Sequence, residues 1–290
     1  MPNFSLSTFI RPETRITILD IGASLTEAPP YEHLIHSGLV RVIGFEPNRE
    51  ECDRLNARYG SPHAFFPYFI GDGNPGVFHE TNWFATGSLF KPNQPVLEKF
   101  ISLYELVTPV AQHPVETKRL DDIAEIDDAD YIKIDVQGAE LLVFQGAERL
   151  LDKVMLLQCE VEFVELYERQ PLFADVDTYL RGRNFMFMKF DYFGSRCIKP
   201  MMMNNNPYQG THSLWADAIY TKNWIDTTSY TTDKLIKLAI LMHDIYNTAD
   251  LAYYLLQHVD ARQGTTYAPQ YQQLLATAAA AAPRAQGSQA

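Results

Sequence analysis

Basic residues are scarce in this 290-residue chain: 24 lysines and arginines stand against 36 aspartates and glutamates, a formal net charge of -12. Proteins that grip a phosphate backbone carry a basic face, so nucleic acid is an unsuitable partner. Cysteine is also rare, and the three present, Cys52, Cys159 and Cys197, make no CxxC pair. Neither a disulfide framework nor a cysteine zinc site is implied, and a reduced compartment, the cytoplasm, is the expectation. No run reaches the roughly 18 apolar residues that a membrane span needs, and MPNFSLSTFIRPETR lacks the continuous apolar stretch of a secretion signal. HExxH is missing, and His33 with His36 suits a solvated helix face, so no metal is expected, the alternative being magnesium held by the hard oxygens of Asp135 with Glu160 or Glu162. The phosphate cradles GxGxxG and GxxxxGK[ST] are absent as well.

With 46% hydrophobic residues the chain can bury a full core. RITILDIGAS, VRVIGFEPN, HAFFPYFIGDG, ADYIKIDVQ and VMLLQCEVEF read as five strands, most of them β-branched runs that end on an acid or glycine. Helical patterns alternate with them: PPYEHLIHSGL, REECDRLNARYG, AELLVFQGAERLLDK and ADVDTYLRGR. PGVFHETNWFATGSLFKPN is rich in turn residues and aromatics. FMFMKFDYF and SLWADAIYTKN make a last strand pair, separated by a polar, methionine- and asparagine-rich loop. The pattern predicts an α/β doubly wound sheet with right-handed crossovers over residues 1–225. A helical hairpin over 226–262 follows, able to pack on the sheet or to pair two copies into a homo-oligomer. The low-complexity segment 263–290 is expected to be a disordered tail, with alanines capable of extending a helix.

In open α/β sheets ligands bind beyond the carboxyl ends of the strands. Acids punctuate those ends here: Asp20 before Gly22, Glu46, Asp72, Asp135, and Glu160 with Glu162. Each alone suits a solvated turn or a helix cap; together they suggest one site. Glu46 can accept hydrogen bonds from both hydroxyls of a ribose, and Gly22 lets backbone approach closely. Without a second glycine to admit a pyrophosphate, a nicotinamide dinucleotide fits poorly, and a nucleoside lacking phosphates remains. S-adenosylmethionine is such a ligand, and its sulfonium and amino group favour surrounding acids.

TILDIGAS, GFEPN, IGDG, GSLFKPN and YIKIDVQGAELLVFQGA, in this order between about Thr17 and Asn223, resemble the FkbM family of S-adenosylmethionine-dependent methyltransferases. The resemblance implies a class I methyltransferase (Rossmann-like) sheet, mostly parallel with one antiparallel strand. It implies methyl transfer to a hydroxyl, on a small-molecule or glycan acceptor such as a sugar or secondary metabolite. It also implies that Asp20, Gly22 and Ala23 line the methionine end of the cofactor, Glu46 the ribose, Asp72 the adenine, and Ser88 the covering segment, with Asp135 beside the reacting methyl. Where the family commonly has a further glycine, Ser24-Leu25-Thr26 stands here.

Asp135 or Glu160 can accept the proton an alcohol loses if burial raises its pKa, and Asp135 can instead bind the cofactor's amino group. Lys133 alternates with Ile132 and Ile134, so it points to the face opposite them. Pairing with Glu140 or Glu160 is its expected role, ahead of orienting the acceptor. Glu140 reads as a helix-start acid and His212 as a base worth testing. The competing functions are a nicotinamide-dependent Rossmann-type enzyme and a non-catalytic binder on a methyltransferase scaffold.

Overall fold

Six consecutive buried residues make the first strand, as the apolar run RITILDI predicts. The computed structural model describes residues 4–26 and 28–281. In chain order its elements are β1 (Ile16–Ile21), α1 (Glu32–His36), β2 (Val40–Phe45), α2 (Arg49–Tyr59), β3 (Ala64–Phe66), β4 (Phe69–Ile70), β5 (Pro75–Thr81), α3 (Gln94–Leu97), β6 (Pro109–Lys118), β7 (Tyr131–Ile134), α4 (Glu140–Gln145), α5 (Glu148–Leu151), β8 (Leu156–Glu162), α6 (Phe173–Gly182), β9 (Phe185–Ser195), β10 (Ser213–Lys222), α7 (Thr232–Asp244), α8 (Ala249–Gln263) and α9 (Tyr267–Ala281). They fall into two compact units, one of Thr17–Ala28 and Val40–Asn223, the other of Met1–Ile16, Pro29–Leu39 and Trp224–Ala290. Two amino-terminal segments thus group with the carboxyl-terminal helices.

The larger unit carries a seven-stranded sheet in the order β3-β2-β1-β7-β8-β10-β9. Pairing is parallel in β2–β3, β1–β7 and β7–β8, and β10 runs antiparallel to both β8 and β9. This is the mostly parallel class I methyltransferase arrangement with its reversed strand. Chain order reverses between β1 and β7, which places a crevice beyond their carboxyl ends. Alternation decides what lies on each face. Leu19, Ile21, Ile43, Phe45, Ile132, Ile134, Leu157 and Cys159 join one core with Val143, Phe144, Leu150 and Leu151 of α4 and α5 and with Val176 and Leu180 of α6. Asp20, Lys133 and Gln158, in adjacent register across β1, β7 and β8, point the other way.

Three elements differ from the expectation. HAFFPYFIGDG is not one strand: β3 ends before Pro67, and β4 joins a second sheet of order β4-β6-β5. That sheet recruits β5 from the stretch expected to be turns and β6 from a stretch with no strand signal. The helix expected over 139–153 breaks at Gly146, where a Cβ would lie 2.0 Å from the Gly71 carbonyl oxygen, too close for any side chain.

In the smaller unit α7 and α8 are the expected helix pair; Thr231 caps α7 by accepting from Lys234 N, and Gly264 closes α8 in the left-handed region at φ 69°. The expected tail is helical through Ala281, and residues from 282 onward lie outside the described residues. Composition missed two anchors. Asp260 accepts from Tyr267 N (2.8 Å), Ala268 N (2.9 Å) and Thr265 Oγ1 (2.6 Å) at the start of α9. Buried Tyr271 places its hydroxyl 2.7 Å from His243 Nδ1. Asp260→Ala should therefore cost about 1–2 kcal/mol and fray α9 first; amide hydrogen exchange over 267–281 would report it, and unchanged protection there would refute the capping role.

Candidate active site

Asp135 N donates to Ile21 O (3.0 Å), while Gly22 N and Ala23 N donate to Phe45 O (3.0 and 3.1 Å), so the tips of β1, β2 and β7 are locked together. Gly22 has φ 81°, and a Cβ on it would lie 2.0 Å from the Asp135 carbonyl oxygen; glycine is required on both counts. Beyond these tips opens a cleft of about 470 Å³. Gly22, Glu46, Ser88 and Asp135 line it, as do Tyr68, Phe69, Phe78 and His113, so the small sheet supplies one wall.

Glu46 is held by its own turn: its Oε1 accepts from Asn48 N at 2.7 Å, and Asn48 in turn caps α2. Burial pushes its carboxyl up to about 7, with Glu51 and Asp20 adding repulsion against the Asn48 hydrogen bond. The segment after Gly22, lacking the family's further glycine, is tied down by side chains. Glu51 Oε1 accepts from Leu25 N at 2.9 Å, and Ser24 Oγ accepts from Thr26 N at 3.1 Å.

On the other side of the cleft, Gln137 joins the two acids that were candidates for proton transfer. Its Nε2 donates to Asp135 Oδ1 (2.7 Å) and Glu160 Oε2 (2.8 Å). The Tyr167 hydroxyl stands 3.0 Å from its Oε1, and Ser88 Oγ donates to its carbonyl at 2.6 Å. Gln137 occupies the left-handed region at φ 57°, a conformation that costs a non-glycine residue roughly 1 kcal/mol. These four side-chain contacts together hold it there.

Burial, then the charges of Asp135, Glu162 and Glu140, push the Glu160 carboxyl well above the usual carboxylate range, which favours its neutral form. Glu162, buried beside Glu140 and Asp135, is raised in the same way. Glu140 is pushed up to about 7 by burial, although its Oε1 accepts from Val136 N (2.8 Å) and Gly138 N (3.3 Å) at the start of α4. The expected helix-start role of Glu140 matches those two bonds. Asp217, which carried no expected role, is pushed up to about 6 by burial and by Asp135, and stands opposite Glu160 in the β8–β10 register. An acid inside the alternating SLWADAIYTK was the available signal.

Lys133 pairs with neither Glu140 nor Glu160. Its Nζ lies 3.4 Å from Asp20 Oδ1, because register places the two side by side on one face of the sheet. Burial opposes its charge, but Asp20, Asp135 and Asp217 outweigh that and raise its pKa. Asp20, Ala23, Lys133 and Glu160 are not among the residues lining the cleft. Neither is Asp72, whose carboxylate turns back to its own loop and accepts from Asn74 N (3.0 Å) and Asn74 Nδ2 (2.8 Å). Tyr68, Phe69 and Ile70 face the cleft from that stretch instead. His212 packs edge-on against Phe100 and does not line the cleft. Among the described residues no three His, Cys, Asp or Glu side chains gather as a metal-binding group.

Three kinds of comparison bear on this geometry. The 2-O-methyltransferase NoeI of Sinorhizobium fredii is 33% identical over 151 residues, which is 47% of this chain and 60% of that protein, so the match spans less than two thirds of the relative. Among solved structures, a putative methyltransferase from Thermoplasma acidophilum superposes at TM-score 0.36 with 10% identity over 77% of each chain. The plantazolicin methyltransferase BpumL, in complex with SAH, gives 0.33 with 13% identity over 72% of this chain and 77% of that one. Superpositions that weak add nothing to the topology the chain itself displays. The profile of the Methyltransferase FkbM domain matches residues 20–187, from the tip of β1 through β8 and into β9. That match displaces the nicotinamide alternative, and because it takes in Gly22, Glu46, Gln137 and both carboxylates that Gln137 joins, the chain belongs to the FkbM methyltransferase family.

Proposed function

We propose that the protein is an S-adenosylmethionine-dependent O-methyltransferase acting on a hydroxyl of a sugar, glycan or secondary metabolite. The observation that carries this is a cleft at the switch point with Glu46 on one side and Asp135 on the other and no anion cradle between them. Its volume of about 470 Å³ lies in the range of small-molecule sites, and its acids and aromatic wall suit a cationic nucleoside. When bound, S-adenosylmethionine supplies an electrophilic methyl group.

The chain's own residues then have three tasks. Glu46 accepts the ribose hydroxyls, which fixes the nucleoside along β2. The rigid tips of β1 and β7 fix the line of approach, and positioning of this kind supplies most of the acceleration in an in-line displacement. Asp135 takes the acceptor's hydroxyl proton; burial and neighbouring acids favour the neutral form of Glu160, which limits charge repulsion beside it. Incubation with methyl-labelled cofactor and a panel of sugar hydroxyls should give label in an ether that withstands mild base. Label released by mild base, or found only on nitrogen, would contradict an O-methyl product.

Ionisation of Glu46 makes cofactor affinity pH-dependent. With its carboxyl at about 7 in the free protein, the group is half protonated near neutrality and must ionise to accept two hydroxyls. Binding should release close to one proton at pH 6 and almost none at pH 8, with affinity falling toward low pH. Calorimetry in buffers of different ionisation enthalpy measures this directly, and proton uptake on binding would refute it.

A further inference from the structure

One basic group has no partner in the mechanism. Arg196 is 7% exposed, and its guanidinium carbon lies 4.2 Å from the centre of the Tyr208 ring and 5.2 Å from that of Trp215. Its protein hydrogen bond is Nη1 to the carbonyl of Ser195 at 2.8 Å. No carboxylate of the described residues pairs with it, whereas nearby Lys199 stands 3.6 Å from Glu105 Oε1. From Tyr192 to Ala216 the sequence contains no acid at all, in a chain with 36 of them. Burial alone lowers the pKa of this arginine, with Tyr208 and Tyr192 working weakly the other way. Leaving a guanidinium buried without a counter-ion is costly, and proteins retain such a group where an anion comes to meet it.

Its place in the fold ties it to the site. Ser195 ends β9 and pairs with Ser213 at the start of β10, on the edge of the sheet where β7 and β8 also end. Trp215, beneath the guanidinium, is the cross-strand partner of Glu162, two residues from the Asp217–Glu160 pair. Three inter-strand spacings, about 14 Å, separate β9 from β7, the strand whose tip lines the cleft. The surrounding loop is fixed by Cys197 N to Pro207 O (2.8 Å) and Ser195 Oγ to Tyr208 O (2.7 Å). Gly210 lies so close to Arg196 that a Cβ would sit 2.0 Å from the Arg196 carbonyl oxygen.

We infer that Arg196, over the rings of Tyr208 and Trp215, binds an oxyanion substituent, a carboxylate or sulfate, on a sugar-like methyl acceptor. The inference names the acceptor class for the O-methyltransferase reading and rests on it. A carboxylate matches the two-pronged guanidinium edge, and the exposed ring of Tyr208 suits the apolar face of a pyranose.

Trp215 is a built-in reporter. In a Trp83→Phe, Trp224→Phe background, leaving Trp215 as the sole tryptophan, titration with methyl glucuronide and with glucose 6-sulfate should change its fluorescence saturably. Methyl glucoside, the neutral counterpart, should not. Arg196→Met should abolish both responses, and Arg196→Lys should weaken them by about tenfold. Equal responses to glucuronide and glucoside, absence of any response to both acidic sugars, or unchanged binding in Arg196→Met would each overturn the inference. The glucuronide–glucoside contrast is made on a protein that keeps Arg196, so a variant that folds poorly leaves it intact. The titration contains no cofactor. Failure here with normal cofactor binding would remove the acidic acceptor alone, whereas failure of cofactor binding would remove the methyltransferase reading.

Discussion

Gly22→Ala should cost the folded protein at least about 3 kcal/mol and lower cofactor affinity at least about a hundredfold. Two effects add. At φ 81° an alanine loses roughly 1–2 kcal/mol relative to glycine, and its methyl carbon would meet the Asp135 carbonyl at 2.0 Å. Relief requires the tip of β7 to withdraw, which carries Asp135 away from the cleft and breaks the bond from Asp135 N to Ile21 O. Gly38→Ala is the matched control: its φ is 72°, but no atom lies within 4 Å of the added carbon, so only the backbone cost applies. Denaturant melts of both variants, with cofactor titrations alongside, separate strain from collision. Equal losses at the two positions would show that the close approach at Gly22 has no consequence.

Asp135→Asn should move activity and stability in opposite directions. Losing the group that takes the acceptor proton should lower turnover by about 10²–10⁴-fold. The same change removes a negative charge that raises the pKa of Glu140, Glu160 and Glu162. These acids bind protons in the fold that the unfolded chain releases near 4.5, so the wild-type protein loses stability as pH rises above that value, through about 7 for Glu140, with Glu160 and Glu162 raised in the same direction. With one charge fewer in the cluster that decline should be shallower, and Asp135→Asn should melt above wild type at pH 8 and near it at pH 5. Asparagine still offers Oδ1 to Gln137 Nε2, which preserves the local geometry. A lower melting temperature at both pH values would show that the carboxylate supports the fold and does not strain it.

Strand tips were legible because an acid closing a buried apolar run marks the point where the chain leaves the core; Gly22, Glu46 and Asp135 all surround the cleft. Partners across strands were not. Lys133 could be placed on a face by alternation, but only the register of β1 against β7 selects Asp20 over Glu140 and Glu160. Gln137 carries no sequence signal of its own, since its importance comes from a left-handed backbone and from Tyr167, 30 residues away in the chain. Strand β6 escaped because PVAQHPVETK holds two prolines and is largely exposed, so neither burial nor a period of two marks it. The break of β3 from β4 falls at Pro67, a residue that lacks the N–H a ladder needs and that strands tolerate only at edges and bulges. Helix α9 followed from Asp260 and from the burial of Tyr271, neither of which alanine-rich composition reveals.

The central claim, that acids at the tips of β2 and β7 hold a cationic nucleoside, is tested most directly by calorimetric titration of wild type and Glu46→Ala with S-adenosylmethionine, S-adenosylhomocysteine and NAD. Both adenosyl ligands should bind wild type, NAD should not, and Glu46→Ala should lose about 1–3 kcal/mol through the ribose hydrogen bonds. Binding of NAD, or full affinity for both adenosyl ligands in Glu46→Ala, would contradict it.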